Sequence, residues 1–180
     1  MTASKRVSPR ELFAVGVILV MTIGIRLWVV SAAFSTTIDS ATVGVMAQDI
    51  LKGARPLFYY GQAYMGALEA YLAAPFLACF GTTSTTALAM APITASVLYL
   101  LAAWYAFRMC WSRGAGLLAL LAVCVPSWVA FWYMTIPYGG YSLSLALGMS
   151  SIALVVAYRC QHLRLWTTCV LLGVTQALAV

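Results

Sequence analysis

Acidic residues are scarce in this chain. Four Asp and Glu stand against ten Lys and Arg, and charged residues of both signs make up 8% of 180 residues. An ordinary soluble domain carries about 25% charged residues. The shortage, set beside an apolar majority, excludes a disordered chain and argues strongly against a soluble globular domain. Histidine is reduced to one residue, His162, and the five cysteines show no Cys-x-x-Cys spacing. Cys79, Cys110, Cys124, Cys160 and Cys169 all lie in or beside apolar runs. That pattern argues against a disulfide framework or a zinc site and leaves the thiols as small buried hydrophobes. Cys160 and His162 would need further metal ligands, and none is near them in the chain. The net charge of +6 does not point to nucleic acid, because the cations are scattered between apolar runs.

What the chain has in excess is apolar sequence: 64% of its residues, with a mean hydropathy of +0.96. The expected fold class is all-α, a polytopic transmembrane helical bundle. Five runs read as spans: Leu12–Phe34, Leu88–Phe107, Ala115–Met134, Leu143–Ala157 and Leu165–Val180. A bilayer crossing needs about 20 residues, which the first run supplies despite Arg26. A cleaved signal peptide is disfavoured there, because a signal core is short and normally uncharged. The run Met65–Phe80 is shorter and carries Glu69 and Pro75.

Charge decides whether Met65–Phe80 crosses. If it does not, Lys5, Arg6, Arg10, Arg108, Arg113, Arg159 and Arg164 share one side, and only Lys52 and Arg55 lie on the other. If it does, four of those arginines change sides and the asymmetry reverses. Cytoplasmic loops carry the excess of Lys and Arg. The expectation is therefore a cytoplasmic N-terminus in the cell membrane, with Met65–Phe80 lying on or dipping into the outer face. The chain stops at Val180 inside an apolar run, the ending expected of a truncated protein.

The long first outer loop, residues 35–86, holds Asp39, Asp49 and Glu69. Its juxtamembrane helices are expected over 39–52 and 65–80. Asp39 or Ser40 is the expected N-cap, Gly53 and Pro56 end the first helix, and Asp49 pairs with Lys52. Asp39, Val43, Met46 and Ile50 fall on one stripe, which would let that helix lie on the membrane. The stretch from Arg55 to Gly66 mixes aromatics, an amide, a cation and glycines, as sugar-binding surfaces often do. Glu69, among apolar residues, is either functional or paired with Arg26, Lys52 or Arg55. Arg26 either snorkels or faces the bundle interior. The Pro137-Tyr138-Gly139-Gly140-Tyr141 turn is placed on the same side as Asp39.

The order of these elements carries a resemblance. A basic start leads into one span, then an acid, then DSATVGVMAQDILKGARPLFYYGQAYMGALEAYLAAPFLACFG, then spans with arginines on the inner side. This resembles membrane glycosyltransferases of the GT-C fold, in particular the protein O-mannosyltransferases, lipid A aminoarabinose transferases and their bacterial relatives. The resemblance runs from about Arg26 to the PYGGY turn and is most specific over 39–81. It implies transfer of a sugar from a polyprenyl-phosphate donor to a protein, lipid or glycan acceptor at the outer face. Asp39 matches the family's general base, which would take the acceptor hydroxyl's proton. Nearby cations would stabilise the leaving phosphate. Arg26, Arg55, Gln62, Tyr64, Glu69 and Tyr138 are the expected substrate contacts. The resemblance implies membrane lipid as the other partner and no nucleic acid, and it leaves divalent-metal use open.

The chain departs from the family pattern in three places. Ser40 stands where many relatives have a second acid. Gln62–Gly66 replaces a Lys-Pro-Pro segment, and the loop around Tyr138 has no acid. The departures and the short length motivate a competing expectation, a non-catalytic membrane subunit. A transporter of lipid-linked sugars is a third, disfavoured because the spans after the outer loop lack the polar midpoints that transporters use.

Overall fold

A computed structural model describes residues 7–33, 36–124 and 126–179. Lys5, Arg6, Phe34 and Val180 therefore lie outside the described residues. The chain forms α1 (Pro9–Ala33), α2 (Ile38–Leu51), β1 (Phe58–Tyr59), β2 (Gln62–Gly66), α3 (Leu68–Phe80) and α4 (Thr85–Cys110). These are followed by α5 (Arg113–Cys124), α6 (Trp128–Tyr133), α7 (Tyr141–Arg159) and α8 (Leu165–Leu178). The structure is predominantly helical, with α1, α4 and α7 long and apolar enough to cross a membrane.

α4 is the central helix. It packs against α1, α3, α5 and α7, while α8 packs on α7 and α1 also touches α5. Its buried face is rich in alanine, including Ala89, Ala91, Ala95, Ala103 and Ala106. Small side chains let helix backbones approach closely where there is little gain from burying apolar surface. Gly116 of α5 uses that closeness: a Cβ there would lie 2.8 Å from Arg108 Cβ and 3.0 Å from the Trp104 carbonyl oxygen.

The ends of the helices are sorted by specific polar contacts. At one end, Arg108 Nε near the end of α4 donates to Glu11 Oε1 in the first turn of α1, at 2.6 Å. Both residues are buried, and Arg113 at the start of α5 stands 3.8 Å from the same carboxylate. The Tyr105 hydroxyl and His162 Nδ1 meet at 2.9 Å, joining the same end of α4 to the α7–α8 turn. These contacts make α1 and α4 antiparallel, so the segment between them leaves and returns at the opposite end. α3 lies within that segment. Its 13 residues span roughly 20 Å at 1.5 Å per residue, less than the ~30 Å of a hydrocarbon core.

Several expectations need correction. The cap of α2 is Thr37, not Asp39 or Ser40. The Thr37 side chain accepts from the Ser40 N–H, and the Ser40 hydroxyl accepts from the Thr37 N–H. This reciprocal box satisfies two orphan donors of the first turn, and Asp39 becomes the second residue of the helix. The stripe of Val43, Met46 and Ile50 faces protein rather than lipid. Val43 and Met46 are fully buried against α3 and α4, with Ile50 packed on them. Each such burial contributes roughly 1.5–3 kcal/mol.

Met65–Phe80 is not one helix. Its first residues belong to β2, which pairs antiparallel with β1 around Gly61, and α3 begins at Leu68. The chain is therefore not strictly all-α. Aromatic residues flanking a glycine favour this small hairpin over a helical start. The expected span 115–134 is broken between Cys124 and Trp128, where Pro126 brings no N–H to a helix ladder. Helices α1, α4 and α7 cover the expected runs 12–34, 88–107 and 143–157 within the described residues, whereas the run 165–180 forms α8, a helix of 14 residues that is shorter than a bilayer crossing needs.

Candidate functional site

The polar residues of interest gather at the end opposite Glu11. Glu69 lies in the first turn of α3 and is 2% exposed. The Gly140 N–H donates to its Oε2 at 2.6 Å, and the Ser142 hydroxyl donates to its Oε1 at 3.1 Å. Gly140 caps α7, so one carboxylate sits at the first turns of two helices. The expected partners of Glu69 are all elsewhere. Arg26 bonds to the α6 region, Lys52 pairs with Asp49 at 3.6 Å, and the exposed Arg55 donates to the carbonyl of its own neighbour Ala54. Glu69 therefore has hydrogen bonds but no cation within ion-pair distance among the described residues. Burial pushes its carboxyl up to about 7, against the lowering effect of the bonds from Gly140, Ser142 and Gly139.

The PYGGY turn is shaped by its two glycines. Gly139 has φ +79° and Gly140 φ +110°, values open to glycine and strained for other residues. A Cβ on Gly139 would also stand 2.8 Å from Met65 Cε and 3.1 Å from the Tyr59 ring. Tyr59 thus packs on the turn, and its hydroxyl donates to the Asp39 carbonyl at 2.8 Å. Burial, with the charges of Asp39 and Glu69 behind it, holds the Tyr59 phenol above its ordinary range.

A cavity of about 220 Å³ opens beside Glu69, walled by Tyr64, Leu68, Tyr141, Leu143 and the end of α8. A second, of about 350 Å³, lies between Thr37 at the α2 cap and an aromatic wall of Trp128, Trp132, Tyr133 and Tyr138. Tyr133 joins the two regions, with ring centroids 5.2 Å from Tyr138 and 5.0 Å from Tyr141.

Arg26 is fully buried in α1. Its Nη1 donates to Thr135 Oγ1 at 2.7 Å and to the Phe131 carbonyl at 3.3 Å, and its guanidinium stands 5.0 Å from the Phe131 ring. Its Nε and Nη2 have no hydrogen-bond partner among the described residues. It faces the bundle and does not snorkel.

The structure brings Asp39, Glu69, Tyr64 and Tyr138 to one end, with Arg26 held against the segment leading into the PYGGY turn. It leaves Arg55 on the exposed surface. Gln62 opens β2 opposite Tyr59, without a side-chain hydrogen bond among the described residues. Sequence reasoning missed Tyr59 and Ser142. Tyr59 was hidden in a run of aromatics, and only the fold brings Ser142 to Glu69. No group of three or more His, Cys, Asp and Glu among the described residues is placed to hold a metal ion, and all five cysteines are free. Comparison of the chain with known protein families, with curated proteins and with solved structures gave no match.

Proposed function

We propose that this chain is the N-terminal part of a membrane glycosyltransferase that takes a sugar from a polyprenyl-phosphate carrier, with Asp39 as general base. The observation that carries the reading is the sequence pattern over 39–81, in which an acid comes just after the first long apolar helix. The geometry is compatible with it. Asp39 is half-buried in the first turn of α2, near the Thr37 end of an aromatic cavity. A carboxylate there would remove the acceptor hydroxyl's proton as the oxygen attacks the sugar carbon, and the carrier phosphate would leave with the bonding pair. Arg26 supplies a buried cation with two unused donor nitrogens, suited to a phosphate oxygen.

In this reading α1, α4 and α7 cross the membrane, α5 with α6 makes one further broken crossing, and α8, too short at 14 residues for a full crossing, enters it from the inner side. The N-terminus is cytoplasmic and the Glu69 end faces outward, which puts most of the cations inside. The test is Asp39→Asn in the full-length protein. Transfer from a polyprenyl-phosphate sugar should fall by about a hundredfold or more, the usual range of a lost general base, with membrane insertion unchanged. Full activity of the variant would refute the assignment.

A second reading, a non-catalytic membrane subunit, is favoured by Ser40. The position that holds a second acid in many relatives is here fully buried and consumed by the α2 capping box. In that case Asp39→Asn leaves the phenotype intact, whereas disrupting helix packing does not.

A further inference from the structure

We propose that the cavity beside Glu69 is a binding site for a primary ammonium group. This goes beyond the sugar-transfer reading and does not depend on it. A charged carboxylate buried out of water is stable only if something compensates it. Among the described residues Glu69 is met only by neutral donors, Gly140 N–H, Ser142 Oγ–H and the Gly139 backbone, and of its roughly four acceptor positions at least one stays open. No cationic side chain among the described residues reaches it.

The walls fit the same ligand. Tyr64 and Tyr141 present aromatic rings at the cavity, and aromatic faces attract ammonium groups. A volume of about 220 Å³ is below the 300–1,000 Å³ typical of sites for drug-sized molecules, so it suits a headgroup or a single ring. An ammonium would add a charge-assisted hydrogen bond to Glu69, roughly twice as strong as that of a neutral donor.

Two sources present this group, the ethanolamine headgroup of a lipid and a soluble amino sugar or amine. The experiment titrates the full-length protein in detergent free of amine lipids by calorimetry at pH 8. Probes are matched in shape: ethanolamine against ethylene glycol, and glucosamine against glucose. Saturable binding of at least one amine, about tenfold or more tighter than its neutral partner, is expected. Glu69→Gln should abolish that preference. Tyr64→Ala, at an exposed position that does not carry the fold, should weaken the amine severalfold. Equal binding of amine and neutral partner would show a hydroxyl site and overturn the proposal. So would no binding, or an amine preference that survives Glu69→Gln. If Glu69→Gln does not fold, an undiminished amine affinity in Tyr64→Ala overturns it. Repeating the titration in nanodiscs assigns the source. Weaker binding of soluble amine in phosphatidylethanolamine than in phosphatidylglycerol discs identifies the lipid headgroup as occupant, and equal binding identifies the soluble amine.

Discussion

Glu69 makes stability depend on pH in a direction opposite to that of most carboxylates. Its carboxyl is lifted from 4.5 to about 7 in the folded protein by burial. Below about pH 4.5 the folded and unfolded chains both hold the proton, and the fold has its full strength. Between about pH 4.5 and 7 the unfolded chain has released the proton while the folded chain keeps it, so stability falls as pH rises. Above about pH 7 both are ionised and the loss is complete. At 1.36 kcal/mol per unit, the whole loss is about 3 kcal/mol. Glu69→Gln removes it, because a neutral amide keeps an acceptor for the Gly140 N–H and a donor for Ser142 Oγ. The assay is thermal unfolding in detergent from pH 4.5 to 8.5 for both proteins. The two should be close at pH 4.5, and the variant should gain on the parent as pH rises. At roughly 2–4 °C per kcal/mol for a chain of this size, the gap at pH 8 is about 6–12 °C. Parallel curves would show that Glu69 does not titrate in this window and would refute the reasoning.

The other predictions concern packing and topology. Gly116→Val should lower the unfolding temperature by several degrees, because the new side chain meets Arg108 Cβ and the Trp104 carbonyl, and overpacking costs about 1–3 kcal/mol. Gly148→Val, at a glycine with open space around it, should change it little. Glu11→Gln removes the carboxylate charge that Arg108 Nε meets at 2.6 Å and should lower stability by chemical unfolding, by more than an exposed charge-removing change such as Lys52→Gln. In a cysteine-free background, Gln62→Cys should react with an impermeant thiol reagent added outside intact cells, and Arg164→Cys should not. The reverse pattern would invert the proposed orientation.

The long periodic elements were legible from the sequence because hydropathy alone defines them. α1, α4 and α7 required only long apolar runs, broken in α1 by Arg26 alone, and the pairing of Asp49 with Lys52 required only helical spacing. The sequence was silent where one segment's role depends on a distant one. Val43 and Met46 look alike on a lipid surface and in a protein core, and only the position of α3 decides between them. The hairpin of Phe58–Tyr59 with Gln62–Gly66 was missed and the helix was begun at Met65 instead of Leu68, because strand pairing is a contact between segments and not a local preference. Glu69 was legible as an anomaly, an acid among apolar residues, but its partners Gly140 and Ser142 lie more than seventy positions away. Glu11 gave no signal as a lone acid beside a basic start. Its counterpart at Arg108 could have been found by asking which opposite charges face each other at the same ends of the apolar runs.

The Glu11–Arg108 contact also has a bearing on the order of assembly. The two residues are 97 positions apart, so in the proposed membrane reading α1 is synthesised and inserted long before its counter-charge exists. Until α4 has been completed, Glu11 lacks the cation that covers it in the fold, and α1 has no fixed rotation relative to the later helices. The first helix made is thus among the last to be seated. A chain truncated before Arg108 should leave α1 free to rotate against the other helices, and one carried through α5 should not.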